Sequence, residues 1–145
     1  MSDVIASLLK NIPRNKTIVF TNGCFDLLHE GHIYLLNEAK KLGDILIVAI
    51  NDDASVQKLK GNARPIQTLT TRVQQLKNTT IPDFVIPFSA DTPLQLIEQI
   101  RPDFLVKGGD YDKETIVGNH IAKKTIIIPL LSGFSTTKKI QDNMY

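Results

Sequence analysis

A single cysteine, Cys24, stands in 145 residues. One thiol excludes an intramolecular disulfide and any zinc cluster built on cysteine, and it suits a reducing cytoplasm. Charge of one sign is equally scarce. The net charge is +2, too small to make nucleic acid the main partner, which would call for a concentrated basic face. Lys40-Lys41, Lys123-Lys124 and Lys138-Lys139 are scattered pairs that read as solvated flanks. No apolar run approaches the roughly 18 residues a membrane span needs. Ser2 and Asp3 stand where a secretory leader would be basic, so neither membrane nor targeting segment is expected. Repeats and low-complexity tracts are absent too. The length fits one domain, residues 1–145, in which folding hides roughly two-thirds of the chain's surface. A convincing carboxylate pair for hydrolysis is also missing, because Asp110 and Asp112 do not make an acid and a base.

What the chain has is alternation. Ile5, Leu8, Leu9 and Ile12 recur with helical spacing and predict a short amphipathic helix over 1–13, ended by Pro13 and packed on the domain that follows. A strand is predicted at 17–20 and a helix at 30–42, with Leu35, Ala39 and Leu42 on one face. Residues 45–50 form an unbroken apolar run, the pattern of a strand covered on both faces. Asn51 to Ser55 offers caps for a short helix toward Lys58, and Leu69, Val73 and Leu76 mark another helix. A strand interrupted by Pro87 is predicted at 84–88. Asp91-Thr92-Pro93 caps a helix carrying Leu94, Ile97 and Ile100. Strands at 103–106 and 125–128 make five, and Ser135-Thr136-Thr137 opens a last helix. Such alternation predicts a three-layer α/β/α sandwich around a five-stranded parallel sheet.

Parallel sheets bind ligands at the carboxyl ends of their strands, beside the point where strand order reverses. The segments following the apolar runs, 21–32, 51–53, 107–110 and 132–137, are rich in small, polar, basic and glycine residues. His29-Glu30-Gly31-His32 is the most informative of them. Two imidazoles about one turn apart at a helix start, where unpaired N–H groups and the dipole favour an anion, read as a phosphate grip. A phosphate there would favour their charged form. The bland alternative is that one ring caps the helix and the other fills a half-buried niche. Gly31 removes a side chain that would keep a ligand from the backbone, and Asn22-Gly23 gives a second permissive spot before the turn. Zinc fits poorly, because helical zinc sites space their histidines i, i+4. Asp26 either orients a histidine or caps the turn. Cys24 is either packed or, with His29 as base, a nucleophile. Lys60, Arg64 and Arg72 are loop and helix-edge cations of the kind a phosphate-bearing substrate requires. Lys107-Gly108-Gly109-Asp110 either admits a base or sugar close to the backbone or is a plain tight turn, and Ser135-Thr136-Thr137 either holds phosphate or only caps. His120 reads as surface.

Residues 21–32 resemble the signature of the cytidylyltransferase-like branch of the nucleotidyltransferases, with its His-x-Gly-His element, and Ser135-Thr136-Thr137 resembles that branch's C-terminal Ser/Thr motif. The similarity runs from about Lys16 to Gln141. Within the branch it is strongest to the adenylyltransferases that make ADP-heptose. The segments that carry it are 20–23, 48–55, 58–61, Arg64-Pro65, 91–93 and 102–111. The chain departs from the family's habit in placing Thr70-Thr71 before Arg72 and in a short segment after Tyr111.

The resemblance implies a Rossmann-like fold of nucleotidyltransferase type and transfer of AMP from ATP to D-glycero-β-D-manno-heptose 1-phosphate. It implies His29, His32, Lys60 and Arg72 as catalytic groups on the phosphates. Thr21, Asn22, Gly23, Phe25, Gly31, Lys107, Gly109, Asp110, Ser135, Thr136 and Thr137 would bind nucleotide, and Asp26, Asn51 and Arg64 the acceptor. Magnesium would bridge phosphate oxygens without a protein cage, with Asp26 a candidate to help hold it. ATP and a sugar 1-phosphate are the implied partners, with a separate sugar kinase and pairing as a homodimer. Competing readings are a sibling cytidylyltransferase joining CTP to glycerol 3-phosphate and a non-catalytic nucleotide-binding module.

Overall fold

The apolar runs become parallel strands because each can bury both its faces only between two layers of helices. The computed structural model describes residues 3–13, 15–109 and 112–129. Five strands, β1 (Ile18–Gly23), β2 (Ile45–Asn51), β3 (Phe84–Phe88), β4 (Phe104–Gly108) and β5 (Lys124–Ile128), pair in parallel in the order β3-β2-β1-β4-β5. Helices α1 (Asp3–Lys10), α2 (Glu30–Lys40), α3 (Asp53–Lys60), α4 (Leu69–Asn78) and α5 (Leu94–Ile100) complete the described part.

Strand alternation sorts the core into two. Phe20, Ile47, Ala49 and Leu105 pack with Ile5 and Leu8 of α1 and Ile97 and Ile100 of α5. Val19, Leu46, Val48 and Val106 pack on the other face with Leu35 and Leu36 of α2 and Leu76 of α4. The expected Rossmann-like three-layer sandwich is therefore present, and the first helix packs where its apolar stripe placed it. Pro87 is tolerated because β3 is an edge strand.

Two local expectations need correction. Strand β1 does not stop at Phe20: Thr21, Asn22 and Gly23 continue the ladder against Val48, Ala49 and Ile50. Asn22-Gly23 is thus the end of the strand and not a segment after it, since β2 supplies partners for its backbone. Asp91 does not cap α5, whose N-cap is Pro93. The Asp91 carboxylate instead pairs with Lys58 at 2.9 Å. The helix expected from Ser135 lies outside the described residues.

The two ends of the sheet differ. At the amino end, Asp44, Asp103 and Asp83 accept hydrogen bonds from the backbone N–H groups of Thr17, Ile18 and Leu46, each at 2.8 Å. At the carboxyl end the sheet divides. β1 pairs with β4 only through Val19–Phe104 and Phe20–Leu105, whereas β4 stays on β5 as far as Gly108–Ile128. Beyond that ladder the Thr21 hydroxyl donates to the Val106 carbonyl at 2.9 Å. The parting falls between the central strand β1 and its neighbour β4, where connections leave in opposite directions.

Gly118 shows how closely the segment before β5 lies on α5. Its φ is +87°, and a Cβ there would stand 2.7 Å from Ile97 Cδ1. We expect Gly118→Ala to cost about 1–3 kcal/mol, read as a lower urea midpoint at unchanged slope. An unchanged midpoint would contradict this packing.

Candidate active site

The chain leaves β1 through a strained turn. Phe25 and Leu27, neither a glycine, hold φ of +49° and +56°, a conformation that persists only when its surroundings enforce it. Two straps do so. The Asp26 carboxylate accepts from the backbone N–H groups of Ile66 at 2.7 Å and Gln67 at 2.9 Å, with Arg64 at 3.6 Å. In return, Gln67 Oε1 accepts from the Leu27 N–H at 3.0 Å.

Arg72 completes the frame. Its side chain is wholly buried, with Nη1 donating to the carbonyls of Cys24 (2.8 Å) and Asn51 (2.7 Å) and Nε to that of Gln67 (3.0 Å). Nη2 meets the Asp53 carboxylate at 2.7 Å. A guanidinium is always charged and carries donors in a fixed fork. Here that fork ties the carboxyl ends of β1 and β2 to the segment entering α4.

The histidines begin α2. His29 is the N-cap, and its Nδ1 accepts from the Gly31 N–H at 3.0 Å. His32 reaches back, its Nδ1 accepting from the His29 N–H at 3.2 Å. Nδ1 is therefore an acceptor in both rings, which leaves the proton of each on Nε2. The rings stack with centroids 3.9 Å apart and planes 22° apart, and the Phe25 ring closes against His32 at 5.3 Å. Both Nε2 atoms are buried. The result is a pair of neutral N–H donors added to the anion-favouring start of a helix. A proton on either Nδ1 would break a cap. The bland alternative is therefore true in part: capping is what aims the rings.

Positive charge gathers around Cys24, just after β1. Burial pushes the Lys107 amine down to about 8, with Cys24 opposing that shift and Lys60 adding to it by repulsion. Burial likewise pushes the Cys24 thiol up, against the pull of Lys60, Arg72 and Lys107. A thiol held protonated, with Sγ 3.8 Å from Asn51 Oδ1, is packed and not poised to attack. Lys60 is exposed at the end of α3. Lys107 and Asn22 line a pocket of about 250 Å3 beside the parted strands.

The sequence-predicted residues thus fall into two sets. Lys60, Lys107 and Asn22 reach solvent or the pocket, while at the start of α2 His29 is half-buried and Gly31 and His32 are buried. Thr21, Phe25, Asp26, Asn51 and Arg72 are buried in the supporting frame. Arg72, expected on phosphate, is a tether, and Phe25, expected on nucleotide, is 1% exposed behind His32. Asp26 does not orient a histidine but fastens 66–67. The Asn51 side-chain amide donates to Ser55 Oγ at 2.9 Å, and Arg64 lies on Asp26. Gly23 is the last residue of β1. Gly109 takes φ +106° and donates to the Ile128 carbonyl at 3.0 Å. Asp110, Ser135, Thr136 and Thr137 lie outside the described residues. Sequence reasoning missed Gln67 and Asp53. One signal for the tether was available, since Arg72 follows Leu69 by three and precedes Leu76 by four, on the buried stripe of α4.

A model of the cytidylyltransferase-like family matches residues 20–138. The chain belongs to the cytidylyltransferase-like family of nucleotidyltransferases. It is 51% identical over 135 residues to the bifunctional protein HldE of Helicobacter hepaticus, covering 93% of this chain and 28% of that protein. To HldE of Campylobacter jejuni subsp. doylei it is 50% identical over 137 residues, covering 94% and 29%. The chain therefore spans under a third of the length of these relatives. Among solved structures, a lipopolysaccharide core biosynthesis protein from Thermoplasma volcanium superposes with a TM-score of 0.68 at 26% identity, covering 81% of this chain and all of that one. A pantoate-beta-alanine ligase from Francisella tularensis, complexed with beta-gamma ATP and beta-alanine, shares the fold with a TM-score of 0.60 at 18% identity, covering 95% and 73%. The family resemblance read from residues 21–32 is borne out. Among the described residues, no helix is long and apolar enough to cross a membrane.

Lys107 gives this cytidylyltransferase-like site a pH signature. Between about 8, where the folded amine titrates, and 10.5, where the unfolded one does, only the unfolded chain holds the proton. The contribution of Lys107 to stability therefore rises with pH across that window, and its cost is complete below it. We expect Lys107→Met to be more stable than the parent at pH 7, with the advantage shrinking toward pH 10.5 in urea titrations. A difference that does not vary with pH would contradict the burial of this charge.

Proposed function

We propose that the chain transfers AMP from ATP to D-glycero-β-D-manno-heptose 1-phosphate, releasing pyrophosphate. The observation that carries this reading is the stacked pair of imidazoles at the start of α2, each capped through Nδ1, with Lys60 and Lys107 acting on Cys24 just ahead of that turn. Donors and cations in that arrangement suit a polyphosphate. The acceptor's phosphate oxygen bonds to the α-phosphorus of ATP while the bond from that phosphorus to the bridging oxygen breaks. The electron pair and negative charge then leave on pyrophosphate.

An ionised phosphate attacks without a side-chain base, so the protein's part is positioning and neutralisation of charge. His29 and His32 donate to the departing phosphates, Lys60 neutralises them, and Lys107 meets the acceptor's phosphate. Arg72, Asp26 and Gln67 keep the histidine turn in place. ATP enters as its magnesium complex, the metal held by phosphate oxygens. Asp26 suits no larger role in that, since both its carboxylate oxygens accept from backbone N–H groups.

The heptose acceptor is supported by the sequence resemblance over 58–61 and 102–111 and by about half identity with proteins named bifunctional HldE. In the same reading a sugar kinase activity supplies the acceptor, and the protein works in the cytoplasm as a homodimer.

Pyrophosphate release tests this, with ATP or CTP each offered heptose 1-phosphate or glycerol 3-phosphate. We expect release in the ATP and heptose 1-phosphate arm, and a fall in turnover of about 10²- to 10³-fold in His29→Ala, the scale seen when one preorganised donor is lost. Release confined to CTP with glycerol 3-phosphate would favour the sibling reaction. Binding without turnover, unaffected by His29→Ala, would make the chain a non-catalytic module.

A further inference from the structure

We infer that the pocket of about 250 Å3 lined by Lys107 and Asn22 receives the phosphorylated sugar, and that Asp91, Thr92 and Thr115 select it through its hydroxyls. The inference rests on the AMP-transfer reading and adds where the acceptor lies.

Displacement geometry gives the direction. In-line transfer requires the attacking oxygen and the leaving pyrophosphate on opposite sides of the α-phosphorus. With pyrophosphate at the start of α2, the leaving side is the face of the sheet that carries Val19 and Val106. The acceptor must then arrive from the face that carries Phe20 and Leu105, against which α5 packs. Asn22 lies two residues after Phe20, and Lys107 two after Leu105, so strand alternation puts both on the acceptor's face. The pocket is on that face too, walled by the residues that enter α5 and by 115–117.

Its chemistry suits a phosphorylated polyol. The Thr115 hydroxyl donates to the Asp112 carbonyl at 2.8 Å, so toward a ligand it can accept. Thr92 Oγ accepts from the Leu94 N–H at 3.4 Å, which leaves its own proton to donate. The Asp91 carboxylate, steadied by Lys58 at 2.9 Å, retains acceptor capacity for a vicinal pair of hydroxyls. Pro93, Ile116 and Val117 give an apolar wall for the C–H face of a pyranose, and Lys107 gives a cation for its phosphate. Behind that wall Gly118 packs closely on Ile97.

Two measurements test the assignment. In steady-state kinetics, Asp91→Asn and Thr115→Val should each raise the KM for heptose 1-phosphate by about tenfold, the worth of one hydrogen bond, and leave the KM for ATP unchanged. Equal rises in both KM values, or no rise for the sugar, would overturn it. Independently, heptose 1-phosphate added to the protein without nucleotide should shift the methyl resonances of Thr92, Thr115, Ile116 and Val117. Shifts elsewhere, or none, would overturn it. Should these methyls move while no nucleotide releases pyrophosphate, the pocket stands and AMP transfer fails. Should pyrophosphate appear with the methyls unmoved, AMP transfer stands and the pocket fails.

Discussion

Between β1 and β4 the backbone ladder ends at Phe20 and Leu105, although both strands run on toward their carboxyl ends. The halves of the sheet separate there, and the strand residues beyond the separation, Asn22 and Lys107, become pocket lining instead of ladder. Thr21 limits the gap by giving its hydroxyl to Val106, so the opening is set by a bond and not left to loops. At the amino end three aspartates instead hold backbone N–H groups. A reacting group held between two rigid strands is positioned with the precision that phosphoryl chemistry needs.

The frame around that opening explains why so many polar residues near the site do not face it. Two left-handed residues in the histidine turn cost about 1–3 kcal/mol each, and the straps from Asp26, Gln67 and Arg72 offset that cost. Satisfying three carbonyls and a carboxylate with one guanidinium leaves little to relax. The histidines follow the same logic, since each Nδ1 is committed to α2's own backbone. Capping and binding are one arrangement viewed from its two nitrogens.

The strands and the three layers were legible in the sequence because burial on both faces leaves an unmistakable signature, such as residues 45–50. The family was legible because residues 21–32 carry spacing and chemistry together. Other features escaped for physical reasons. Thr21 to Gly23 read as the segment after β1 because polar residues at the end of a parallel strand resemble loop, and only the neighbouring strand reveals their pairing. Arg72 read as a surface cation because charge dominates the first impression of a side chain, while its place between Leu69 and Leu76 went unweighed. The Asp26–Gln67 exchange joins segments forty residues apart, a distance across which a lone sequence carries no signal. The pocket walls near Asp91 and Thr115 meet only through the crossover that brings α5 beside the turn after β4.

The central claim is that two neutral imidazoles, capped through Nδ1, present Nε2–H to a nucleotide's phosphates. Long-range proton–nitrogen correlation spectra of the His29 and His32 side chains at neutral pH test it most directly. The account predicts unprotonated Nδ1 and protonated Nε2 in both rings, and a shift of both Nε2–H pairs when magnesium ATP is added. A proton on Nδ1 of either ring, or rings indifferent to magnesium ATP, would contradict it.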